Sequence, residues 1–323
     1  MKILVTGGTG FIGSHLCELL IKKNYKVICF DRYNPNYNLG HLHNSKYKNE
    51  IEFNFGDIRD YDSVSKSTKG CDAVLHLAAL IGIPYSYVSP LAYLKTNLEG
   101  TYNVLESCKI NKIQQVVITS TSETYGSAVT TPINEDHRLL AQSPYAASKI
   151  SADQLAISYW KSFKTPIKII RPFNTFGPRQ SARAIIPTIL SQVLGGKKSI
   201  KLGNLHTSRD LTYVSDTCEA FLEILKHKVF FGRATNVGSN NEITIKELIK
   251  IIKKITRKNF KVITTNNRKR PQNSEVERLV CDNSFFMENS NWSPKVKFEI
   301  GIKQSIDWFK KNKDNYKFNN YII

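Results

Sequence analysis

The chain has 323 residues, 41% of them hydrophobic, which is enough for one large domain or for a domain with a smaller lobe. Its six cysteines are scattered without a CxxC spacing, which argues against a disulfide framework or a metal site and favours a reducing cytoplasm. Nothing at the N-terminus resembles a signal peptide, and no apolar stretch is long enough to span a bilayer. We therefore expect a cytoplasmic protein without a membrane partner.

The net charge of +19 is compatible with nucleic-acid binding. However, lysines lie along predicted helix faces such as Lys246–Lys254, and no recognised nucleic-acid-binding motif appears. We therefore attribute the charge to a lysine-rich composition and predict no nucleic-acid partner. The densest basic cluster, Arg257–Arg270, is a candidate for binding an anionic nucleotide instead.

The N-terminal segment is predicted to form a strand, a glycine-rich turn and a helix. Lys2–Thr6 reads as a short apolar strand, and the turn after it opens a helix that continues to Lys23. The three spaced glycines of this turn allow a tight bend, close approach of the backbone to a pyrophosphate, and close helix–strand packing. The helix N-terminus offers free N–H groups to the phosphates. The residues predicted to bind a dinucleotide here are Gly7, Gly10, Phe11, Ile12 and Gly13.

A second strand, Lys26–Phe30, ends in Asp31, where the ribose-binding acid of such a unit is expected. This carboxylate would bind the ribose hydroxyls and repel a 2′-phosphate, so NAD is preferred over NADP. Arg32 weakens that preference, because an arginine can accommodate the phosphate. Strands Ile51–Phe55 and Asp72–His76 are followed by further candidate cofactor contacts, which are Asp57, Ile58, Leu77, Ala78 and Ala79.

Alternating strands and helices continue to about residue 172, which predicts a parallel, doubly wound sheet. The second half contains no further glycine fingerprint. We predict an α/β fold in which residues 1–172 form a Rossmann-type, dinucleotide-binding domain with the catalytic residues. Residues 173–323 would form a smaller α/β substrate-binding lobe, with some segments returning to the sheet, and the tail 313–323 is expected to be loosely held. The helices predicted beyond the sheet are Ile185–Leu194, Val214–Lys226, Ile245–Ile255 and Ile302–Lys311.

The stretch Ser120–Lys149 carries the candidate chemistry. It begins with STSETYG at the end of a buried strand and ends with SPYAASK, where Ser143 is a candidate helix N-cap. In a helix that opens there, Tyr145 and Lys149 share one face. A fixed ammonium beside a phenol favours phenolate, so Tyr145 would take a hydroxyl proton near neutral pH, as oxidation of an alcohol to a ketone requires.

These motifs together resemble the extended short-chain dehydrogenase/reductases that act on nucleotide sugars. The resemblance covers almost the whole chain and rests on TGGTGFIG, Asp31, GDIRD, HLAA, STSETYG, YAASK and RPFNTFGPR. It implies a tightly held NAD, a C-terminal lobe that binds the nucleoside diphosphate, and a homodimer formed through helices matching Leu91–Cys108 and Tyr145–Phe163. The further cofactor contacts expected are Asn97, Ser120, Tyr145, Lys149 and Pro172.

The triplet Thr121–Glu123 separates functions within this family. Sugar 4,6-dehydratases resemble this chain in having Thr-Asp-Glu or Thr-Ser-Glu here, whereas simple 4-epimerases lack the glutamate. Oxidation at C4 acidifies the C5 proton, and a base must remove that proton while water leaves C6. In an extended strand Thr121 and Glu123 share a face, so Thr121 would hold the 4-hydroxyl while Glu123 reaches C5. Ser122 replaces the aspartate taken to protonate the leaving hydroxyl, and which group does so here stays open.

The resemblance therefore implies an NAD-dependent nucleotide-sugar 4,6-dehydratase. SPYAASKISADQLA and RPFNTFGPRQSARAIIPTIL are most similar to bacterial dehydratases of the legionaminic-acid type, which act on nucleotide-activated N-acetylglucosamine, with GDP or UDP left open as the carrier. The implied catalytic residues are Thr121, Ser122, Glu123, Tyr145 and Lys149. The implied substrate contacts are Thr121, Asn174, Arg183, Arg209 and Arg270, since guanidinium groups suit phosphates.

Other functions stay open on the sequence alone. UDP-glucuronate decarboxylases resemble this chain too, and some share Thr-Ser-Glu. The absence of a glutamate in simple 4-epimerases counts against that activity. A non-catalytic Rossmann protein that senses NAD or binds RNA is a further alternative, which the intact Thr121, Tyr145 and Lys149 disfavour.

Overall fold

The computed structural model describes residues 1–312, so the expectation for the tail 313–323 lies outside the described residues. Most strands belong to one large sheet, and the rest form two small sheets in the second half of the chain. The strands are β1 (Lys2–Thr6), β2 (Lys26–Arg32), β3 (Ile51–Gly56), β4 (Ala73–His76), β5 (Gln115–Thr119), β6 (Ile167–Pro172), β7 (Asn174–Phe176), β8 (Ser199–Leu202), β9 (Ser208–Tyr213), β10 (Ala234–Val237), β11 (Glu242–Thr244), β12 (Lys261–Thr264) and β13 (Arg278–Leu279).

The helices alternate with the strands of the large sheet and then surround the small sheets. They are α1 (Phe11–Lys22), α2 (Tyr61–Thr68), α3 (Ile83–Val88), α4 (Pro90–Tyr93), α5 (Gly100–Ile110), α6 (Pro144–Phe163), α7 (Ile185–Leu194), α8 (Val214–Lys226), α9 (Ile245–Thr256), α10 (Ser284–Glu288) and α11 (Phe298–Lys311). A π-helical stretch, Leu94–Glu99, joins α4 to α5. The predicted helices Ile185–Leu194 and Val214–Lys226 are confirmed, whereas the predicted Leu91–Cys108 helix contains this π-helical interruption.

The large sheet has seven strands in the order β10–β6–β5–β4–β1–β2–β3, and every neighbouring pair is parallel. The Rossmann-type doubly wound fold is therefore confirmed. The strand order reverses between β1 and β4, which is the switch point at which ligands of such sheets bind. One strand from the second half, β10, extends the sheet beyond β6.

Alternate residues of each strand pack into separate hydrophobic clusters on the two faces of the sheet. Ile3 and Val5 of β1 pack with α1 and α8, whereas Leu4, between them, packs with α2, α5 and α6. Because both faces are covered, the strands are almost continuously apolar. This explains why short apolar runs were enough to locate them.

The second half adds two small sheets beside the carboxyl edge of the large one. The strand β9 pairs with β7, β11 and β13, while β8 pairs with β12. All six residues of strand β9 are buried, and Asp210 within it accepts hydrogen bonds from the backbone N–H groups of Ser239, Asn240 and Cys281. One buried carboxylate thus joins three segments. We propose that residue 172 marks the boundary between the dinucleotide-binding domain and the substrate-binding lobe.

Three histidines, His15, His41 and His76, lie in or near the core and have lowered pKa values, so they are neutral near pH 7. Burial lowers the pKa of His15 and of His41 to about 4, with a smaller effect from the charge of Arg179, and burial lowers the pKa of His76 to about 3. His76 lies between the hydroxyls of Thr6 and Thr101, at 2.8 and 3.1 Å. It is a packed residue at the end of its strand.

These histidines predict a loss of stability in mild acid. Between the unfolded pKa, about 6.5, and the lowered folded values, the unfolded chain binds more protons, so stability falls as the pH falls. We expect each histidine to contribute about 1 kcal/mol or more to the difference in unfolding free energy between pH 7 and pH 5. Urea unfolding at the two pH values measures this. His15→Gln should reduce the difference, and an unchanged difference would contradict the assignment.

Candidate active site

The glycine-rich turn after β1 is packed too closely for side chains. A Cβ on Gly13 would lie 2.2 Å from the carbonyl oxygen of Gly7, and Gly7 itself has a φ of +70°. A Cβ on Gly7 would lie 2.9 Å from the backbone nitrogen of Ala78, which follows β4. The hydroxyl of Thr6 accepts the N–H groups of Leu77 and Ala78, each at 3.1 Å. The turn and the segment after β4 therefore form one rigid cradle.

Polar groups in this cradle fit a dinucleotide. The N-terminus of α1 has no side-chain cap, so the N–H groups of its first turn face outward for an anion. Asp31 Oδ2 accepts the backbone N–H and the hydroxyl of Thr9, at 2.8 and 2.6 Å, while Oδ1 accepts the N–H of Arg32 at 2.7 Å. Each oxygen of a carboxylate has two acceptor sites, so Oδ1 retains one for a ribose hydroxyl.

Several other predicted cofactor contacts are held by neighbours. Arg59 donates to both oxygens of Asp57, which lowers the pKa of that carboxyl, and Ile58 is buried against Gly100. The buried Asn97 accepts the N–H of Leu80 at 2.8 Å and donates to its carbonyl at 2.9 Å. Asn97 thus fixes the backbone just after Leu77–Ala79.

The helix α6 begins where the SPYAASK motif predicts. Ser143 caps it by accepting the N–H of Ala146 at 3.1 Å, which places Tyr145 in the first turn. The Tyr145 side chain is buried, with its ring 6.1 Å from that of Tyr93. Burial raises the pKa of Tyr145 above its usual range, a hydrogen bond with Thr121 opposes this, and the nearby charge of Glu123 raises the pKa further.

The lowered pKa expected for Tyr145 is not found in the protein by itself, because burial raises that pKa. The Lys149 ammonium donates instead to the carbonyl of Thr119 at 2.5 Å, at the end of β5. Its burial lowers its own pKa, and the charge of Asp153 opposes that effect. Desolvation therefore dominates the electrostatics of both residues, although they share a helix face as predicted.

The chain does not stay extended across the Thr121–Glu123 triplet. Thr121 is extended, but Ser122–Tyr125 forms a single 3-10 turn, capped by the Thr121 hydroxyl, which accepts the N–H of Glu123 at 3.3 Å. The bend buries Ser122, which is 2% exposed. The strand geometry that would place Thr121 and Glu123 on one face therefore does not apply, because the chain bends, but the charge of Glu123 still reaches Tyr145.

Two predicted arginines converge on this turn. Arg270 Nη1 lies 3.5 Å from Glu123 Oε2, and its Nε lies 4.0 Å from Glu275 Oε1. Arg209 Nη2 lies 3.8 Å from the same Glu275 oxygen. Burial lowers the pKa of Arg209, while the charge of Glu123 raises it. The structure thus brings two guanidinium groups and two carboxylates together beside the candidate catalytic turn.

The two remaining predicted substrate contacts are Asn174 and Arg183. Asn174 begins β7, and its buried Nδ2 has no hydrogen-bond partner within residues 1–312. Arg183 lies against Gly82, where an added Cβ would be 3.0 Å from Nη1, and its charge reaches Tyr93. Pro172 ends β6 in a buried position. The individual roles of these residues remain proposals.

Comparison with known proteins identifies the family. The family model described as GDP-mannose 4,6 dehydratase matches residues 4–305. The dTDP-D-glucose 4,6-dehydratase of Homo sapiens is 31% identical over 332 residues, covering 98% of this chain and 92% of that protein. The chain therefore belongs to the NAD-dependent epimerase/dehydratase family of extended short-chain dehydrogenase/reductases, which comprises nucleotide-sugar 4,6-dehydratases, epimerases and decarboxylases.

Solved structures agree with the fold. A dTDP-glucose 4,6-dehydratase from Streptomyces venezuelae, solved with NAD bound, has a TM-score of 0.91 at 27% identity and covers 98% of this chain and 99% of that one. A UDP-glucuronic acid 4-epimerase from Bacillus cereus, in complex with UDP-glucuronic acid and NAD, has a TM-score of 0.89 at 31% identity, covering 96% and 99%. Similar overall folds therefore accompany different reactions.

Sequence reasoning missed four residues that hold the site together. They are Tyr125, Asp153, Arg171 and Glu275. The sequence could have indicated one of them, Asp153, because it lies four residues after Lys149 and hence on the same helix face. Within residues 1–312, no cluster of three or more potential metal-ligating side chains is found, and no helix there has the length and apolar character needed to cross a membrane.

We predict that Gly13→Ala destabilises the protein more than Gly10→Ala. Both added Cβ atoms would approach the same oxygen of Gly7, at 2.2 Å for Gly13 and 3.2 Å for Gly10. Only the first contact forces the helix start to move, with an expected loss of about 1–3 kcal/mol in unfolding free energy. Urea unfolding of both variants measures the difference. Equal losses would contradict the close packing of this turn.

Proposed function

We propose that the protein is an NAD-dependent nucleotide-sugar 4,6-dehydratase, which forms a 4-keto-6-deoxy sugar from a nucleoside-diphosphate hexose. The observation that carries this proposal is the position of Glu123. Its carboxylate is close enough to Tyr145 to raise the pKa of the phenol, and Thr121 hydrogen-bonds the same phenol. A carboxylate that can act as a base therefore lies close to Tyr145 and Thr121. A reaction that removes the C5 proton requires such a group in addition to the residues that assist oxidation at C4.

NAD, which the glycine cradle and Asp31 would hold, supplies the oxidant for C4 and the reductant for C6 within one turnover. Tyr145 takes the proton of the 4-hydroxyl. Because burial raises the pKa of the phenol, the Thr121 hydrogen bond acts in the direction that base chemistry needs. Lys149, whose ammonium donates to the Thr119 carbonyl, lies one helical turn from Tyr145 on the same face of α6.

Glu123 then removes the C5 proton, which the C4 ketone has made acidic, and the C6 hydroxyl leaves as water. Ser122 is buried behind the turn, so it is poorly placed to donate the leaving proton. We assign that donation to Glu123 itself, once protonated, or to a water. C6 receives the hydride that C4 lost, and C5 takes up a proton that balances the one taken from the 4-hydroxyl. The net change is the loss of one water, and the product is the 4-keto-6-deoxy sugar.

The arginines support a diphosphate substrate. Arg209 and Arg270 present forked donors beside Glu123, and Arg183 and the unpartnered amide of Asn174 add further donors within the described residues. We propose N-acetylglucosamine linked to GDP or UDP as the substrate, on the motif resemblance alone. We also propose a homodimer, because large apolar side chains are exposed on the helices expected to form its interface, such as Leu91, Leu94 and Tyr102.

Mass spectrometry tests the reaction. The purified protein would be incubated separately with GDP- and UDP-N-acetylglucosamine, GDP-mannose, dTDP-glucose and UDP-glucuronate. Loss of one water from a substrate would establish the dehydratase and identify that substrate. Loss of carbon dioxide from UDP-glucuronate would make the protein a decarboxylase instead. Isomerisation without mass change, detected by chromatography, would make it an epimerase.

We predict that Tyr145→Phe removes nearly all oxidation at C4, because the variant lacks the group that accepts the hydroxyl proton. A loss of about 100-fold or more in turnover is expected for such an acid–base group. Turnover of the substrate identified above measures this. Tyr93→Phe is a suitable control. The ring of Tyr93 packs against that of Tyr145, but its hydroxyl donates to the Gly82 carbonyl and has no proposed part in the reaction. Near-normal turnover by Tyr145→Phe would refute the assignment.

We predict that Glu123→Gln spares oxidation at C4 but stops elimination, because the amide cannot remove the C5 proton. Bound NADH should then accumulate and be visible by absorbance, while little dehydrated product forms. Glu275→Gln, which alters the neighbouring carboxylate of the arginine cluster, should not show this accumulation. Full product formation by Glu123→Gln would mean that another group is the base.

A further inference from the structure

A buried carboxylate lies directly beneath the catalytic turn. Asp153, on α6, is fully buried, and its Oδ2 accepts the Ser120 hydroxyl at 2.6 Å. The same oxygen accepts Nε and Nη2 of Arg171 at 3.1 and 2.9 Å. The Arg171 side chain is 3% exposed. Separating such a desolvated pair would leave an uncompensated buried charge. Movements that pull Asp153 and Arg171 apart are therefore strongly disfavoured.

Arg171 also reaches the other end of the turn. Its Nη1 donates to the hydroxyl of Tyr125 at 3.0 Å, and this hydroxyl donates to Asn236 Oδ1 at 2.7 Å. Asn236 lies on β10, and its Nδ2 donates to the carbonyl of Ile133 at 3.0 Å. Tyr125 is therefore tied both to the guanidinium and to the outermost strand of the sheet.

These contacts hold the segment Ser120–Tyr125 at both ends. Ser120 directly precedes Thr121, and Tyr125 lies two residues after Glu123. Within the segment, the Thr121 cap and the hydrogen bonds of a single 3-10 turn are joined by three outside contacts. The Leu140 N–H donates to the Thr124 carbonyl at 2.9 Å, Arg270 pairs with Glu123, and Thr121 hydrogen-bonds Tyr145. One isolated turn of this kind is weak. The position of Glu123 thus depends on the anchors at the ends as well as on its ion pair with Arg270.

We propose that Asp153, Arg171 and Tyr125 form a buried clamp that positions the turn carrying Glu123 for proton removal at C5. They are positioning residues, because none of them belongs to the proposed reacting set. This inference rests on the proposed function for its chemistry but on the described contacts for its geometry. Asp153 also faces Lys149, whose ammonium form its charge favours, so the clamp joins the two halves of the site.

The test compares two variants that each delete the phenol hydroxyl of a buried tyrosine. Tyr125→Phe removes the link from Arg171 to the turn and leaves a ring that packs near Phe173 and His137. Tyr159→Phe is the matched control, because its hydroxyl donates to Glu106 at 2.8 Å, away from the turn. Both residues are at most 5% exposed. Two readouts are measured in the full-length protein: amide hydrogen exchange of peptides covering 120–126, and the partition between bound NADH and dehydrated product.

We expect Tyr125→Phe to speed exchange of the turn by about tenfold, since a hydrogen bond to a charged group is lost. Elimination should slow more than oxidation at C4, so bound NADH accumulates while KM stays close to that of the unmodified protein. Tyr159→Phe should change neither readout. Unchanged exchange in Tyr125→Phe, or an unchanged partition, would overturn the inference. If the unmodified protein dehydrates no sugar, the proposed function fails, and hydrogen exchange still decides whether the clamp holds the turn.

Discussion

The site depends on one constraint, which is that parallel strands bring their carboxyl ends to the same edge of the sheet. The ends of β1, β4, β5 and β6 lie side by side around the point where the strand order reverses. Thr6 connects the first two of them by accepting the N–H groups after β4. Lys149 reaches the end of the third through the Thr119 carbonyl. The cofactor cradle and the helix α6, which carries the proposed catalytic residues Tyr145 and Lys149, are therefore fixed to a common, buried frame.

Burial gives the proposed catalytic residues their electrostatic character. Desolvation raises the pKa of Tyr145 and lowers the pKa of Lys149, so each residue is pushed toward its neutral form. The hydrogen bond with Thr121 lowers the pKa of Tyr145, and the charge of Asp153 raises the pKa of Lys149, so each partly offsets the effect of burial. A site of this kind is sensitive to its ligands, because a charge that enters a low-dielectric pocket has a larger effect there than in water.

The sequence predicted most of the fold because its signals were local. Apolar runs located the strands, and Ser143 with Pro144 located the start of α6. The site was predicted less completely, because its contacts join residues far apart in the chain. Periodicity says nothing about the bond between Arg171 and Tyr125, which are 46 residues apart, or the approach of Arg270 to Glu123. The bend after Thr121 was missed because a side-chain cap, rather than an apolar pattern, determines it.

The most direct test of the central claim follows the hydrogen at C4. The nucleotide sugar that the protein consumes would be prepared with deuterium at C4, and the product would be examined by nuclear magnetic resonance. A 4,6-dehydratase removes this hydrogen and returns it to C6, so the account predicts deuterium in the new methyl group. A decarboxylase or an epimerase returns it to C4. Deuterium recovered at C4, with none at C6, would contradict the account.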